Sequence, residues 1–91
     1  MSQHWLTGNT PNGSVEILIG WDEPLQWFHM TLEPDADEPL YSNLYEPNPH
    51  SLTLADFQKV LDRYGITNIS LHPNHPDGLY ELLEDDRQNQ R

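Results

Sequence analysis

The sequence predicts a small α+β domain in which a three-stranded antiparallel sheet, extended to four strands if one short segment joins it, packs against two helices. Three observations support this fold class. The first third of the chain is rich in β-branched and aromatic residues with strand-like alternation, two later segments have helical spacing, and 91 residues suffice for one modest core. We assign residues 1–87 to a single acidic domain and residues 88–91 to a frayed tail.

Strands are predicted at residues 4–7, 15–21 and 25–33. Asn12 and Gly13 lie between the first two and are a strong hairpin signal, because a type I′ turn needs positive φ at both central residues. Since side chains alternate between the two faces of a strand, one face of the sheet is expected to be apolar. The residues on this core-facing side are Val15, Ile17, Ile19, Trp21, Phe28, Met30 and Leu32.

The same alternation places a mixed set of side chains on the opposite face of the sheet. These residues are Glu16, Leu18, Trp27, His29, Thr31 and Glu33. Two alternatives remain open: either the second helix or residues 40–45 cover this face, or it is an exposed apolar patch ringed by acids. An exposed patch of that kind is typical of a protein-binding or dimer surface.

The strongest local signals belong to a helix that begins after Thr53. Thr53 is a good N-cap, and Asp56 stands at capping-box spacing behind it. Gly65 suits the left-handed conformation that often ends a helix, and Ile66 fits the accompanying hydrophobic contact. Leu52 is positioned to form a hydrophobic staple with the fourth helical residue. The predicted buried stripe comprises Leu54, Phe57, Val60, Leu61 and Tyr64.

Residues 34–51 form a long loop that contains four prolines. Loops of this length are uncommon in compact domains and are often functional. Residues 40–45, in the middle of the loop, are too apolar to remain free of contacts. We expect them to form a turn or a short edge strand that Leu40 and Leu44 attach to the core.

The last third of the chain contains a turn and a second helix. Residues 66–71 are expected to form a short strand or an extended connector, and the prolines of residues 72–76 exclude a helix there. The second helix is predicted over residues 77–87. Its inward side chains are Leu79, Leu82 and Leu83.

Charge is the most unusual property of the composition. Fifteen acidic residues stand against four basic ones, and no Lys or Arg precedes Lys59. A field of this sign repels nucleic acid and anionic membranes and attracts basic partners. The acidity also has a simpler explanation, namely solubility or adaptation to a salt-rich cytoplasm.

Motifs for catalysis or cofactor binding are lacking. The chain has no cysteine, no Gly-x-Ser-x-Gly and no phosphate-binding glycine loop, and its adjacent carboxylates fit solvated turns and helix ends. His72 and His75 could share a metal ion, but no third ligand stands at a recognisable spacing. We therefore expect no cofactor and no enzymatic activity.

Two sequence runs resemble a group of small uncharacterised bacterial proteins. They are the strand and turn Val-Glu-Ile-Leu-Ile-Gly-Trp-Asp followed by Pro24-Leu25, and the element Leu40-Tyr41-Ser42-Asn43-Leu44. The resemblance covers about residues 5–66. It implies a bacterial origin and a fixed position for residues 40–44, and it implies no activity.

From these observations we expect a non-catalytic interaction or regulatory protein in the cytoplasm that binds a basic protein partner. The residues expected to contact the partner are Trp27, Asp35, Asp37, Glu38, Tyr41, Asn43, Tyr45 and Glu46. We expect neither nucleic acid nor membrane to bind directly. The alternatives are an inhibitor that mimics nucleic acid, a small metal-dependent hydrolase that uses His72 and His75, and a homodimer formed through the sheet.

Overall fold

A computed structural model describes residues 2–89 of the chain. Within this range the protein is an α+β fold with a four-stranded antiparallel sheet and two α-helices, as the sequence predicts. The strands follow one another in the order β1 (His4–Thr10), β2 (Gly13–Asp22), β3 (Trp27–Leu32) and β4 (Tyr41–Ser42). The helices are α1 (Leu54–Arg63) and α2 (Leu79–Gln88), and short 3-10 helices form at Asn43–Tyr45 and Pro49–Ser51.

The predicted apolar side of the sheet forms one half of the core. In the register of β2 and β3, Ile17 lies opposite Leu32, Ile19 opposite Met30, and Trp21 opposite Phe28. All six are buried, and the rings of Trp21 and Phe28 meet edge to face with centroids 5.0 Å apart. We call this side of the sheet the inner face. Leu54, Phe57 and Leu61 of α1 and Leu79 and Leu83 of α2 belong to the same core cluster.

The hairpin between β1 and β2 differs from the predicted type I′ turn. Thr10 pairs with Gly13, so the two loop residues are Pro11 and Asn12, and Asn12 has no positive φ. The proline ring holds φ near −65°, which is incompatible with the first central position of a type I′ turn. Thr10 stabilises the loop instead, because its hydroxyl accepts a hydrogen bond from the Asn12 amide at 3.1 Å and donates to the Gly13 carbonyl at 2.7 Å.

Helix α1 has the predicted ends. The Thr53 hydroxyl accepts a hydrogen bond from the Asp56 amide at 3.3 Å, and the Asp56 carboxylate accepts one from the Thr53 amide at 2.9 Å. These reciprocal bonds form the capping box. At the other end Gly65 has a φ of 73°, and Ile66 is buried in the core. Local sequence therefore determines this helix at both ends.

Helix α2 begins two residues later than predicted, and Asp77 connects its start to the preceding connector. One carboxylate oxygen accepts a hydrogen bond from the Leu79 amide and the other accepts one from the Ser70 amide, each at 3.1 Å. Partial burial alone would raise the pKa of Asp77, but these two amides and the nearby His75 ring hold it below the ordinary value. The helix ends at Gln88, with Asn89 as its C-cap, and the remainder of the predicted frayed tail lies outside the described residues.

Residues 40–45 are attached to the core, but not by the leucines that we expected. Leu40 and Leu44 are exposed, whereas Tyr41 is buried and pairs with Leu32 as part of β4. Alternation explains the difference, because Tyr41 rather than Leu40 falls on the inner face. Residues 66–71 form an extended connector, and no strand is assigned to them within the described range. Neither α1 nor α2, in residues 2–89, is long and apolar enough to cross a membrane.

Candidate protein-interaction surface

The side of the sheet opposite α1 and α2 carries the side chains that the core does not use. We call it the outer face. In the strand register, Trp5 lies opposite Leu18, Leu18 opposite Thr31, and Thr31 opposite Ser42, so these four residues form one row across the sheet. Thr7 and Glu16 are paired in the next row, two residues along each strand. The row and its neighbours therefore define a mixed apolar and acidic surface.

The outer face is open around Trp5. This side chain is 54% exposed although it lies within a strand, and Thr7 and Glu16 beside it are also exposed. The buried side chains of α1 and α2 pack with the inner-face residues, so no helix covers Trp5. Of the two alternatives that the sequence left open, the structure favours the exposed patch at this end of the sheet.

The other end of the outer face is closed by the start of the chain. The Ser2 carbonyl lies so close to Gly20 that a Cβ atom at that position would be 2.1 Å from its oxygen. The His29 ring bonds the same carbonyl through Nε2 at 3.0 Å. Trp27 is half-buried, with its ring centroid 6.5 Å from that of His50. Trp27, one of the predicted contact residues, is therefore partly shielded.

Glu16 and Glu33 face each other at the end of the β2–β3 ladder, next to the open part of the outer face. The Glu33 amide donates to the Glu16 carbonyl at 2.8 Å, which continues the β2–β3 ladder by one residue. In return, the Glu33 carboxylate accepts a hydrogen bond from the Glu16 amide at 3.4 Å. Among the described residues, no Lys, Arg or His forms an ion pair with either carboxylate. The Glu33 carboxylate therefore lies against the backbone of Glu16, and both residues add negative charge at this end of the sheet.

The first part of the predicted loop of residues 34–51 extends this negative charge. The chain leaves the sheet at Glu33 and returns at Leu40, whose amide donates to the Leu32 carbonyl at 3.0 Å. Asp35, Asp37 and Glu38 are exposed between these points. Since the loop starts beside Glu16, its carboxylates add to the negative field at the open end of the outer face.

The structure places two of the predicted contact residues in the interior. Tyr41 is 5% exposed and its hydroxyl donates to the Glu46 carboxylate at 3.0 Å, so burial and this hydrogen bond raise the pKa of Tyr41. Asn43 is 2% exposed, and its side-chain oxygen accepts a hydrogen bond from the Met30 amide. Neither can serve as a surface anchor, which corrects the expectation for both. Tyr45 is 59% exposed and is accessible, whereas Glu46 is half-buried.

The edge strand β1 is partly closed to another strand. The side-chain amide of Asn68 donates to the Thr7 carbonyl at 2.9 Å and accepts from the Asn9 amide at 2.7 Å. This one side chain therefore occupies two backbone groups that a free edge would offer to a partner. A partner that approaches here meets the face of the sheet more readily than its edge.

The histidines proposed as metal ligands lie in different surroundings. His72 lines a groove of 420 Å³ beside Leu71 and Pro73, whereas Nδ1 of His75 lies 3.1 Å from the Asp77 carboxylate. No group of three or more His, Cys, Asp or Glu that could hold a metal ion occurs within residues 2–89. The geometry therefore lends no support to a hydrolase built on His72 and His75.

A part-buried contact between a histidine and an aspartate, which the sequence did not indicate, joins β1 to α2. Nε2 of His4 lies 2.6 Å from the Asp86 carboxylate, and Asp86 is 3% exposed. His4 pairs with Ile19 and is therefore on the inner face, where it reaches the helix. This carboxylate–imidazole pair connects the first strand to the last helix. It does not line either of the two grooves on the side of the sheet where the helices pack.

The predicted contact residues omit Trp5, Glu16 and Glu33, which lie on or beside the open part of the outer face, and Trp5 is the most prominent of the three. The sequence did carry a signal for Trp5. Side chains alternate along residues 4–7, and because Leu6 packs against the core, Trp5 falls on the other face of the strand.

Comparisons with protein-family models, curated proteins and solved structures give no match for this chain.

Proposed function

We propose that this protein is a non-catalytic binding protein that holds a basic protein partner on the outer face of its sheet. The observation that carries the proposal is an exposed tryptophan on the side of the sheet opposite α1 and α2, next to carboxylates that form no salt bridge within the described residues. Aromatic residues dominate the energy of protein interfaces, and surrounding charges steer the encounter and select the partner.

Charge complementarity supports a basic partner. The whole sheet and the loops that connect its strands precede Lys59, so they contain no Lys or Arg. Glu16, Glu33, Asp35, Asp37 and Glu38 all lie at one end of this surface or in the adjoining loop. A basic protein surface would be attracted to these carboxylates over several ångströms. We place the protein in the cytoplasm as part of the same proposal.

The test is a comparison of two charge variants in affinity capture from the host. One variant carries Glu16→Gln and Glu33→Gln on the outer face, and its matched control carries Asp62→Asn and Glu81→Gln on the helical side, with the same change in net charge. A partner is then identified, purified and titrated against both variants and the wild type at low and high salt.

We expect the captured protein to be basic, to bind less tightly as salt rises, and to lose affinity only with the outer-face variant. Equal losses with both variants would mean that net charge alone attracts it, and a partner that binds the outer-face variant normally would refute the proposed surface.

A further inference from the structure

We infer that Trp5 and Glu16, supported by Glu33, form a recognition site for an arginine side chain of the partner. The inference rests on the proposed function and specifies its chemistry. It starts from the register, in which Trp5 is paired with Leu18, and Glu16 stands two residues before Leu18 on the same strand. The two side chains are thus diagonal neighbours on one face of the sheet.

Diagonal neighbours on an antiparallel sheet are separated by roughly 7–8 Å, which aromatic and long side chains can bridge. A planar cation can therefore lie over the indole of Trp5 and still reach the carboxylate of Glu16. The guanidinium of arginine fits both requirements, since it stacks on aromatic faces and donates two parallel hydrogen bonds to a carboxylate. A lysine ammonium is a compact point charge and meets only the electrostatic part.

The neighbouring carboxylate strengthens the case for a cation at this position. Glu33 is paired with Glu16 at the end of the ladder, and its backbone has a φ of 57°, which is uncommon for a residue with a side chain. Among the described residues no basic side chain neutralises the pair. A guanidinium bound beside Glu16 would be attracted by both negative charges, whereas an uncharged ligand would not be.

Access is consistent with a side chain that approaches from above the sheet. Trp5 is more than half exposed, and Thr7 and Glu16 around it are exposed too. The Asn68 side chain occupies the edge of β1 at Thr7 and Asn9, so a partner cannot easily form backbone hydrogen bonds there. Recognition must then come from side chains, and Trp5 with Glu16 provides the matching surface.

The probes are two synthetic peptides of equal length and charge, one with alternating arginine and serine and one with alternating lysine and serine. Each is titrated into the 91-residue protein at low salt, and the three indole N–H signals are followed by NMR. We expect the arginine peptide to bind about two- to fivefold more tightly than the lysine peptide. The Trp5 signal should shift strongly, and the signal of Trp21, which is buried, should not.

The variants are Trp5→Thr, which removes the aromatic ring and keeps a good strand residue, and Trp5→Phe, which keeps an aromatic face. Trp5→Thr should abolish the preference for arginine, and Trp5→Phe should restore part of it. Leu25→Ala serves as the control, because Leu25 is equally exposed but lies in the turn between β2 and β3. Thermal unfolding of each variant verifies that it is folded.

The results separate this inference from the proposed function. If both peptides bind equally to the wild type and to Trp5→Thr, yet are lost with Glu16→Gln and Glu33→Gln, the arginine site is wrong and the basic partner stands. If neither peptide binds the wild type, or if Asp62→Asn with Glu81→Gln weakens binding as much as the outer-face variant, both are wrong.

Discussion

The two faces of the sheet are built from the same strands but differ in what packs against them. Ile17 and Leu18 are adjacent in β2, yet Ile17 is 1% exposed beneath the helices and Leu18 lies in the row with exposed Trp5. The inner face packs against both helices, whereas Ser2 and the His50 ring beside Trp27 cover one end of the outer face. Core packing and the proposed recognition surface are therefore separated by a single step along the chain, so mutations can test them separately.

The largest expected effect compares these two neighbours. Ile17→Ala should lower the free energy of unfolding by about 2–5 kcal/mol, because it removes buried methyl groups and leaves a cavity. Leu18→Ala should cost about 1 kcal/mol, because its side chain is only half-buried. Urea denaturation monitored by circular dichroism measures both. Equal losses would show that the outer face is packed as tightly as the inner one.

The next effect compares two histidines, one on each face. His4→Ala should cost about 1–3 kcal/mol, since it leaves the buried Asp86 carboxylate without its partner. His29→Ala removes a single hydrogen bond to the Ser2 carbonyl and should cost about 0.5–1.5 kcal/mol. Asp86→Asn in the His4→Ala background should recover part of the loss by removing the unpaired charge. A double variant no more stable than His4→Ala would contradict the assigned pair.

A pH-dependent change in the free energy of unfolding is expected for Asp77, which connects the start of α2 to the preceding connector. Its folded-state pKa is lowered, so its contribution to stability is fully present above the ordinary aspartate pKa of about 4 and is lost as pH falls through the folded-state value. Asp77→Asn should therefore cost about 1 kcal/mol at neutral pH, with a difference from the wild type that shrinks in acid. Asp37→Asn, an exposed loop change of the same chemistry, is the control. A difference independent of pH would refute the role of the charge.

The smallest effect on stability is expected for the proposed contact residues. Glu16→Gln and Glu33→Gln should change the free energy of unfolding by no more than about 0.5 kcal/mol, because Glu16 is exposed and a glutamine at position 33 keeps a side-chain oxygen that can accept from the Glu16 amide. Chemical denaturation at low salt gives the value. A clear destabilisation would show that these residues serve the fold rather than a partner.

Elements with local signals could be predicted from the sequence. The capping box at Thr53 and Asp56 and the alternation of β2 and β3 lie within a few residues of the structure they determine. The hairpin was misplaced because Pro11 excludes the turn that Asn12 and Gly13 favour. A turn centred on those two residues would have paired Trp5 with Gly20, on the same face but two residues from its observed partner Leu18.

The remaining parts of the site depend on distant contacts. His4 and Asp86 are 82 positions apart, and Asn68 reaches the edge of β1 across 61 positions, so no local pattern indicates either contact. Tyr41 and Asn43 were expected to contact a partner, but Tyr41 is buried through the pairing of β4 with β3 and Asn43 through its hydrogen bond with the Met30 amide. Asp35, Asp37 and Glu38 are exposed, as contact residues must be, because prolines and clustered charges oppose burial of this part of the loop.

The hydrogen bonds of Asn68 also bear on what happens when this protein is concentrated. Exposed strand edges are templates for polymerisation, and an open β1 next to an exposed tryptophan would be a starting point for fibrils. One amide side chain occupies that edge, and β4 at the opposite edge has only two residues, which is too short to propagate. Both features oppose edge-to-edge pairing of copies of the protein although an aromatic side chain is exposed nearby.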